Sequence, residues 1–322
     1  MPTDRKQEND FKVVAVGGGH GLPIALKSIQ KYSQNITAIA TVADDGGSSG
    51  RLRRELAVLP PGDSRNCLVA LADDNLISRL FQYRFTCGEG MAGHALGNLI
   101  IAALSELTGD FSTALAEAGK LLKAKGKVLP PTDEKVTLCA RLEPEGTIRG
   151  QCNVANRLRS LVSIWLEPTN SRANEEAVAA IKAADQIIIG PGSLFTSIFP
   201  NLLVSGIRDA IEGSKAQRIF ICNTMVQAGE TDGFTAEQHI TAIFKYIGRG
   251  LIDTAIINQS SFSSQHLSEL AKINVTPVAA GENNLAELDM EVIFADLADQ
   301  DYPAHHDVNK LARVLSGQAD KI

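Results

Sequence analysis

Two kinds of residue in this chain could do chemistry at readable places: glycine turns that follow apolar runs, and carboxylates at the ends of such runs. The first turn is Gly17-Gly18-Gly19-His20-Gly21, between the apolar run 13–16 and a stretch whose apolar residues fall at helical spacing. Pro23 suits the first turn of that helix, where its missing N–H removes a donor that would have no partner. Strand, turn and helix start together offer unpaired N–H groups and the positive end of a helix dipole to an anion. Without Cβ atoms, the glycines let a phosphate approach the backbone. The structural alternative is a corner that needs glycine for packing alone. The match to G-x-G-x-x-G is loose, with Leu22 or Ile24 at the place of the third glycine, and no Lys follows Gly21 as a P-loop requires.

A second junction of the same kind follows Gln186-Ile187-Ile188-Ile189. It reads Gly190-Pro191-Gly192-Ser193-Leu194-Phe195-Thr196-Ser197 and adds the hydroxyls of Ser193, Thr196 and Ser197 at a helix start. Two cradles suit a ligand with two charged parts, or a phosphate and a sugar. The carboxylates Asp44 and Asp45 close the apolar run 36–42 and open a mobile loop carrying Ser48, Ser49 and Arg51. Ligands of doubly wound sheets sit at the strands' carboxyl ends. There, an acid reaches a ribose hydroxyl, or two aspartates hold Mg²⁺ beside substrate phosphates. A plain turn and cap is the alternative. Arg51 adds a guanidinium fork for phosphate.

Four further groups are candidates. In Pro60-Pro61-Gly62-Asp63-Ser64-Arg65-Asn66, Asp63 reads as a helix cap. Arg65 and Asn66 in the first turn are less expected by propensity or dipole, which makes them candidates for ligand contact. His94 and Asn98, four apart on an apolar helix, must be satisfied by protein or by ligand. Asn223, Gln227 and Glu230 crowd the carboxyl end of a strand over 218–223. His305-His306-Asp307 reads as an N-cap beside solvated histidines in preference to a metal site.

These residues need a scaffold that brings distant turns to one rim. Apolar strand-like runs at 13–16, 36–42, 186–189, 218–223 and 254–258 alternate with helical stretches, and 275–278 and 292–294 read as edge strands. The expectation is an α/β fold: a Rossmann-like, doubly wound, mostly parallel sheet with helices on both faces. A small inserted lobe is expected at about 126–160, containing a hairpin. One domain covers 11–322 after a disordered polar tail at 1–10. The 322 residues are 44% hydrophobic and 21% charged, ordinary for a globular chain with a real core. A net charge of −6 argues against nucleic acid as a partner. Five cysteines without paired spacing suit free thiols in a reducing cytoplasm. Neither an apolar leader nor a membrane span is legible.

Taken in order, the two glycine turns, Asp44-Asp45-Gly46-Gly47-Ser48-Ser49-Gly50-Arg51, the segment 60–66, Gly93-His94-Ala95-Leu96-Gly97-Asn98, Pro200-Asn201 and 222–233 resemble one family. That family is the YvcK-type gluconeogenesis factors, relatives of the CofD 2-phospho-lactate transferases, and the resemblance spans about 11–315. His20 in the first turn resembles the actinobacterial branch. The resemblance implies a cytoplasmic, homo-oligomeric regulator that binds UDP-sugars, UDP-N-acetylglucosamine in particular. It further implies support of cell shape and wall-precursor supply during gluconeogenic growth, with an enzyme of that supply as partner. The competing class is a phosphoryl or nucleotidyl transferase in which Asp44 and Asp45 hold Mg²⁺ and act catalytically. An NAD-linked oxidoreductase is the weakest alternative, because no third glycine or hydride-site acid–base pair is present. The chain departs from the family pattern at Val226, where threonine is usual, and at His305, where a basic residue is usual.

Overall fold

The computed structural model describes residues 10–155, 158–272, 275–281, 285–288, 290–302 and 304–317. Most of the expected tail, residues 1–9, lies outside the described residues. The strands are β1 (Lys12–Gly17), β2 (Asn35–Ala40), β3 (Lys127–Leu129), β4 (Thr137–Leu142), β5 (Gly146–Arg149), β6 (Leu161–Glu167), β7 (Gln186–Ile189), β8 (Gln217–Ile221), β9 (Thr254–Asn258) and β10 (Glu291–Ala295). Before the lobe come α1 (Gly21–Ile29), α2 (Gly47–Glu55), α3 (Gly62–Leu71), α4 (Leu76–Gln82), α5 (Leu96–Thr108) and α6 (Phe111–Leu122). The lobe contains α7 (Gln151–Ala155). After it come α8 (Glu175–Ala183), α9 (Phe199–Leu202), α10 (Ser205–Glu212), α11 (Ala236–Tyr246), α12 (Ser264–Lys272) and α13 (Val308–Leu315).

Seven strands form one sheet in the order β10-β9-β8-β7-β1-β2-β3, with every pairing parallel. Its central strands read as unbroken apolar runs because helices cover them, and β7 and β9 are buried throughout. The chain runs outward from β1 to β3, returns to β7 on the other side of β1, and runs outward again to β10. Right-handed crossovers send the helices of two oppositely directed runs to opposite faces. The reversal leaves a crevice at the carboxyl ends of β1 and β7, where both glycine turns begin. α1 holds that geometry: Leu22, Ala25, Leu26 and Ile29 are fully buried on one stripe. Truncating Leu26 to alanine would cost about 2–5 kcal/mol.

The inserted lobe is a three-stranded antiparallel sheet, β5-β4-β6. Its limits differ from the expected 126–160: β3 joins the main sheet as an edge strand, and β6 extends the lobe to Glu167. The lobe is tied to the sheet rim where the Cys152 N–H donates to Asp45 Oδ1 at 2.9 Å. Three further expectations change. The loop after Asp45 becomes helix α2 from Gly47. The helix expected to contain His94 begins at Leu96. The stretch 275–278 makes an isolated bridge, Pro277 to Met225, so among the described residues β10 is the edge of the sheet at that end. Among the described residues no helix is long and apolar enough to cross a membrane.

Candidate functional site

The two glycine turns interlock. A Cβ on Gly21 would lie 2.4 Å from the Pro191 carbonyl oxygen, and one on Gly192 would lie 3.1 Å from that of Gly18. A cleft of about 340 Å³ opens beside them. Gly19, His20, Gly21 and Ile24 form one wall, and Gly192, Ser193, Asn223 and Gln227 face them. His305 and His306 close the end. Val226 and His305, the two departures from the family pattern, are both on this lining. α1 starts at the cleft without a side-chain cap, since His20 stands at its N-cap and makes no capping hydrogen bond. Its first amides therefore point a partial positive charge at the opening.

The second turn is satisfied from within. Gly192 N–H donates to Asn223 Oδ1 at 3.0 Å, and Asn223 Nδ2 returns a bond to the Gly192 carbonyl at 2.9 Å. Gln227 Nε2 donates to Ser193 Oγ at 2.8 Å. A single π-helical turn, Leu194–Ile198, carries Thr196 inward, where its hydroxyl donates to Glu230. The Glu230 carboxyl also faces the N–H groups of Phe195 and Thr196, while its Oε2 makes no hydrogen bond of good geometry. Burial pushes the Glu230 pKa up to about 7 against those donors. The amides and the Thr196 hydroxyl that sequence assigned to a ligand are thus engaged by the protein's own carboxyl. Ser193, Asn223 and Gln227 remain at the cleft.

Asp63, expected to cap α3, instead reaches the first turn. Pro61 stands at the N-cap of α3, and no side chain caps the helix. The Gly19 N–H donates to the Asp63 carboxyl. A Cβ on Gly18 would sit 2.5 Å from Asp63 Oδ2, so only glycine fits there. Burial first, and then the charge of Asp44, raise the Asp63 pKa to about 7.

The adjacent aspartates diverge. Asp44 Oδ1 accepts from the Gly46 N–H at 2.9 Å, and the Ser49 hydroxyl also bonds to the Asp44 carboxyl. Burial raises the Asp44 pKa. Asp45 turns away to the start of α7 through Cys152. Asp44 has two carboxyls within charge range at the rim, Asp45 and Asp63. Mg²⁺ commonly uses one or two carboxylates and completes its shell with waters and substrate phosphates. Asp44 with either neighbour meets that carboxylate count. Among the described residues no group of three or more His, Cys, Asp or Glu is placed to hold a metal.

Ser48, His94 and Asn98 satisfy one another. Ser48 Oγ and His94 Nδ1 are 3.0 Å apart, and Asn98 Nδ2 donates to Ser48 Oγ at 3.0 Å. Burial, followed by the charge of Arg51, keeps His94 below its ordinary pKa. Ser49 Oγ accepts from the Gly62 N–H at 3.1 Å and so holds the start of α3. Arg65 Nη2 donates to Asn66 Oδ1 at 2.6 Å. Ser48, Arg51, Arg65, Asn66, His94 and Asn98 belong to this side of the rim and are not among the cleft-lining residues. At the C-terminal end, Asp307 caps α13 as expected. His306 is buried where solvent was expected: its Nε2–H donates to the Cys222 carbonyl at 3.1 Å, and burial lowers its pKa to about 4. His305 is exposed and stacks on Tyr302.

A family profile described as 2-phospho-L-lactate transferase CofD matches residues 13–298. The gluconeogenesis factor of Halalkalibacterium halodurans is 41% identical over 305 residues, which cover 94% of this chain and 95% of that one. The gluconeogenesis factor of Bacillus subtilis is 40% identical over 306 residues, covering 94% and 96%. A crystal structure of a UPF0052 family member from Bacillus halodurans superposes with a TM-score of 0.90 at 40% identity, covering 96% of this chain and 99% of that chain.

Proposed function

The chain belongs to the CofD-like family of gluconeogenesis factors, and we propose that it is a regulator whose cleft takes a nucleotide sugar of the UDP-N-acetylglucosamine type. The observation that carries this reading is the uncapped start of α1 opening on a cleft whose far wall holds Ser193, Asn223 and Gln227. The diphosphate lies against the first amides of α1, and the amide and hydroxyl side chains opposite supply directional bonds to uridine or sugar. The three raised carboxyls at the rim all accept from donors inside the protein, Asp63 from Gly19, Glu230 from Phe195 and Thr196, and Asp44 from Gly46 and Ser49. That supports binding without turnover. A regulator of this kind works in the cytoplasm, as a homo-oligomer, and passes the level of a wall precursor to a partner enzyme, linking gluconeogenic growth to cell shape.

Calorimetry with UDP-N-acetylglucosamine tests the reading. Binding is expected in the presence of a chelator, weakened about tenfold by Gln227→Ala through loss of one or two hydrogen bonds. Absence of binding by the wild-type chain sinks it. One observation favours a second reading, a Mg²⁺-dependent phosphoryl or nucleotidyl transferase: Asp44 and Asp63 lie close enough to couple electrostatically. They would hold the ion, which when bound neutralises charge on a transferring phosphate. Turnover of a UTP- or sugar-phosphate substrate that vanishes in Asp44→Asn would establish it.

A further inference from the structure

Three arginines and a histidine converge beside α5, away from the cleft lining. Arg51 Nη2 donates to the Ala92 carbonyl at 2.7 Å, and Arg84 Nη1 donates to the adjacent Gly93 carbonyl at 2.6 Å. The backbone is tight there: Gly93 has a φ of +83°, and a Cβ on it would sit 3.1 Å from Arg51 Nη2. Arg65 lies next to them, only 5% exposed, with Nε and Nη1 unpartnered. Its charge is opposed by that of Arg84, and His94 feels Arg51 and Arg84 together with the opposite charge of Glu55. Ser64 Oγ and Asn98 Oδ1, buried close by in sequence or in the same network, also lack partners.

None of the three arginines makes an ion pair among the described residues. Acids are not scarce in a chain with 37 Asp and Glu against 31 Lys and Arg. Elsewhere the chain pairs its arginines readily, Arg149 with Glu167 and Arg218 with Asp253. A buried guanidinium with two unpartnered nitrogens beside Arg84, and with Asp63 within charge range but not bonded to it, is unfavourable on its own, through desolvation and like-charge repulsion. We propose that Arg51, Arg65 and Arg84 form a second anion site that takes a phosphate group. A phosphate carries about −1.5 to −2 charges near neutral pH, which answers three guanidiniums better than a carboxylate does. Arg51 is half-buried and Arg84 exposed, so both present N–H groups outward while Arg65 adds charge from behind. Asp63 touches both regions, bonded to Gly19 at the cleft and within charge range of Arg65. The site does not depend on what occupies the cleft.

The test is titration of the full chain with inorganic phosphate and with glucose 6-phosphate, read by calorimetry and by thermal unfolding. Both titrations are run with and without saturating UDP-N-acetylglucosamine. Arg84→Gln and Arg65→Gln are expected to weaken phosphate at least about tenfold, the first by removing charge-assisted hydrogen bonds and the second by removing the charge behind them. Arg79→Gln, an exposed arginine elsewhere on α4, should leave phosphate affinity at the wild-type value. Stabilisation by phosphate should persist when UDP-N-acetylglucosamine is present. Tighter binding of glucose 6-phosphate identifies a phosphorylated sugar, and the opposite ranking identifies free phosphate; either supports the site. The proposal is overturned if phosphate gives no response, if all variants respond like wild type, or if UDP-N-acetylglucosamine abolishes the response. Should UDP-N-acetylglucosamine fail to bind while an arginine-dependent phosphate response remains, the nucleotide-sugar reading falls and this site stands.

Discussion

The two glycine turns share one sequence pattern and end in different states. The first leads into α1, nine residues long and uncapped, and gives up a single amide, that of Gly19, to Asp63. The second leads into one π-helical turn and is filled by Asn223 and Glu230, which take the Gly192, Phe195 and Thr196 amides. A strand–glycine–helix pattern therefore specifies where donors will be, not what accepts from them. The acceptor arrives from another part of the chain, and whether one arrives decides if the turn is a ligand site or a joint.

The largest expected effect comes from breaking the interlock between the turns. In Gly21→Ala the new methyl would meet backbone of Pro191 and Gly192, which cannot rotate away. A loss of about 3 kcal/mol or more is expected in chemical denaturation. Gly19→Ala faces only the Ser197 hydroxyl at 3.3 Å but has a φ of +63°, and should cost about 1–2 kcal/mol. Equal stability of both variants and wild type would show that the turns do not hold each other.

The next effect separates the two filled carboxyls by pH. Asp63 and Glu230 both have folded pKa values of about 7, above their ordinary range. Between about pH 4 and 7 the folded chain keeps protons that the unfolded chain has released, so stability falls as pH rises through that window and levels off above it. At about 1.4 kcal/mol per unit, each group accounts for a few kcal/mol of that fall. Asp63→Asn and Glu230→Gln should flatten the profile, measured as urea unfolding at pH 5 and pH 8. An unchanged slope in the double variant would refute the assignment. Asp63→Asn should also alter affinity for UDP-N-acetylglucosamine through Gly19, and Glu230→Gln through Ser193, whose side chain bonds to Glu230 and lines the cleft.

The smallest effect tests the cleft end. His305→Arg places a full positive charge on an exposed rim and should tighten UDP-N-acetylglucosamine a few-fold, under about 1 kcal/mol. The gain should fade in high salt, as calorimetry at two ionic strengths would reveal.

Much of this architecture was legible, and the illegible part has a common cause. Buried parallel strands such as β7 and β9 are apolar along their whole length, so they stand out locally. The meeting of both glycine turns followed from strand order at a reversal point. Asp63 reads as a cap in the sequence because caps are local, whereas its partner Gly19 lies in a different turn. The segment after Asp45 looked like a loop because Gly and Ser are poor helix formers. It folds as α2 because distant groups take its hydroxyls, His94 and Asn98 that of Ser48 and Gly62 that of Ser49. Gly50 also lets the helix close on Asp45, where a Cβ would lie 1.9 Å from the carbonyl oxygen. Arg84 has no signal in the sequence, because a single arginine in an aromatic run carries no pattern of its own.

The hook between Asp45 and the lobe gives the molecule a built-in optical probe. The chain has one tryptophan, Trp165, half-buried on β6 opposite Cys139 of β4. Asp45 adjoins Asp44 at the rim, and its grip on Cys152 is a hydrogen bond that a shifted backbone would loosen. Intrinsic emission from the lobe is thus an unlabelled signal for events at the end of β2, separate from anything absorbed or emitted by a nucleotide in the cleft.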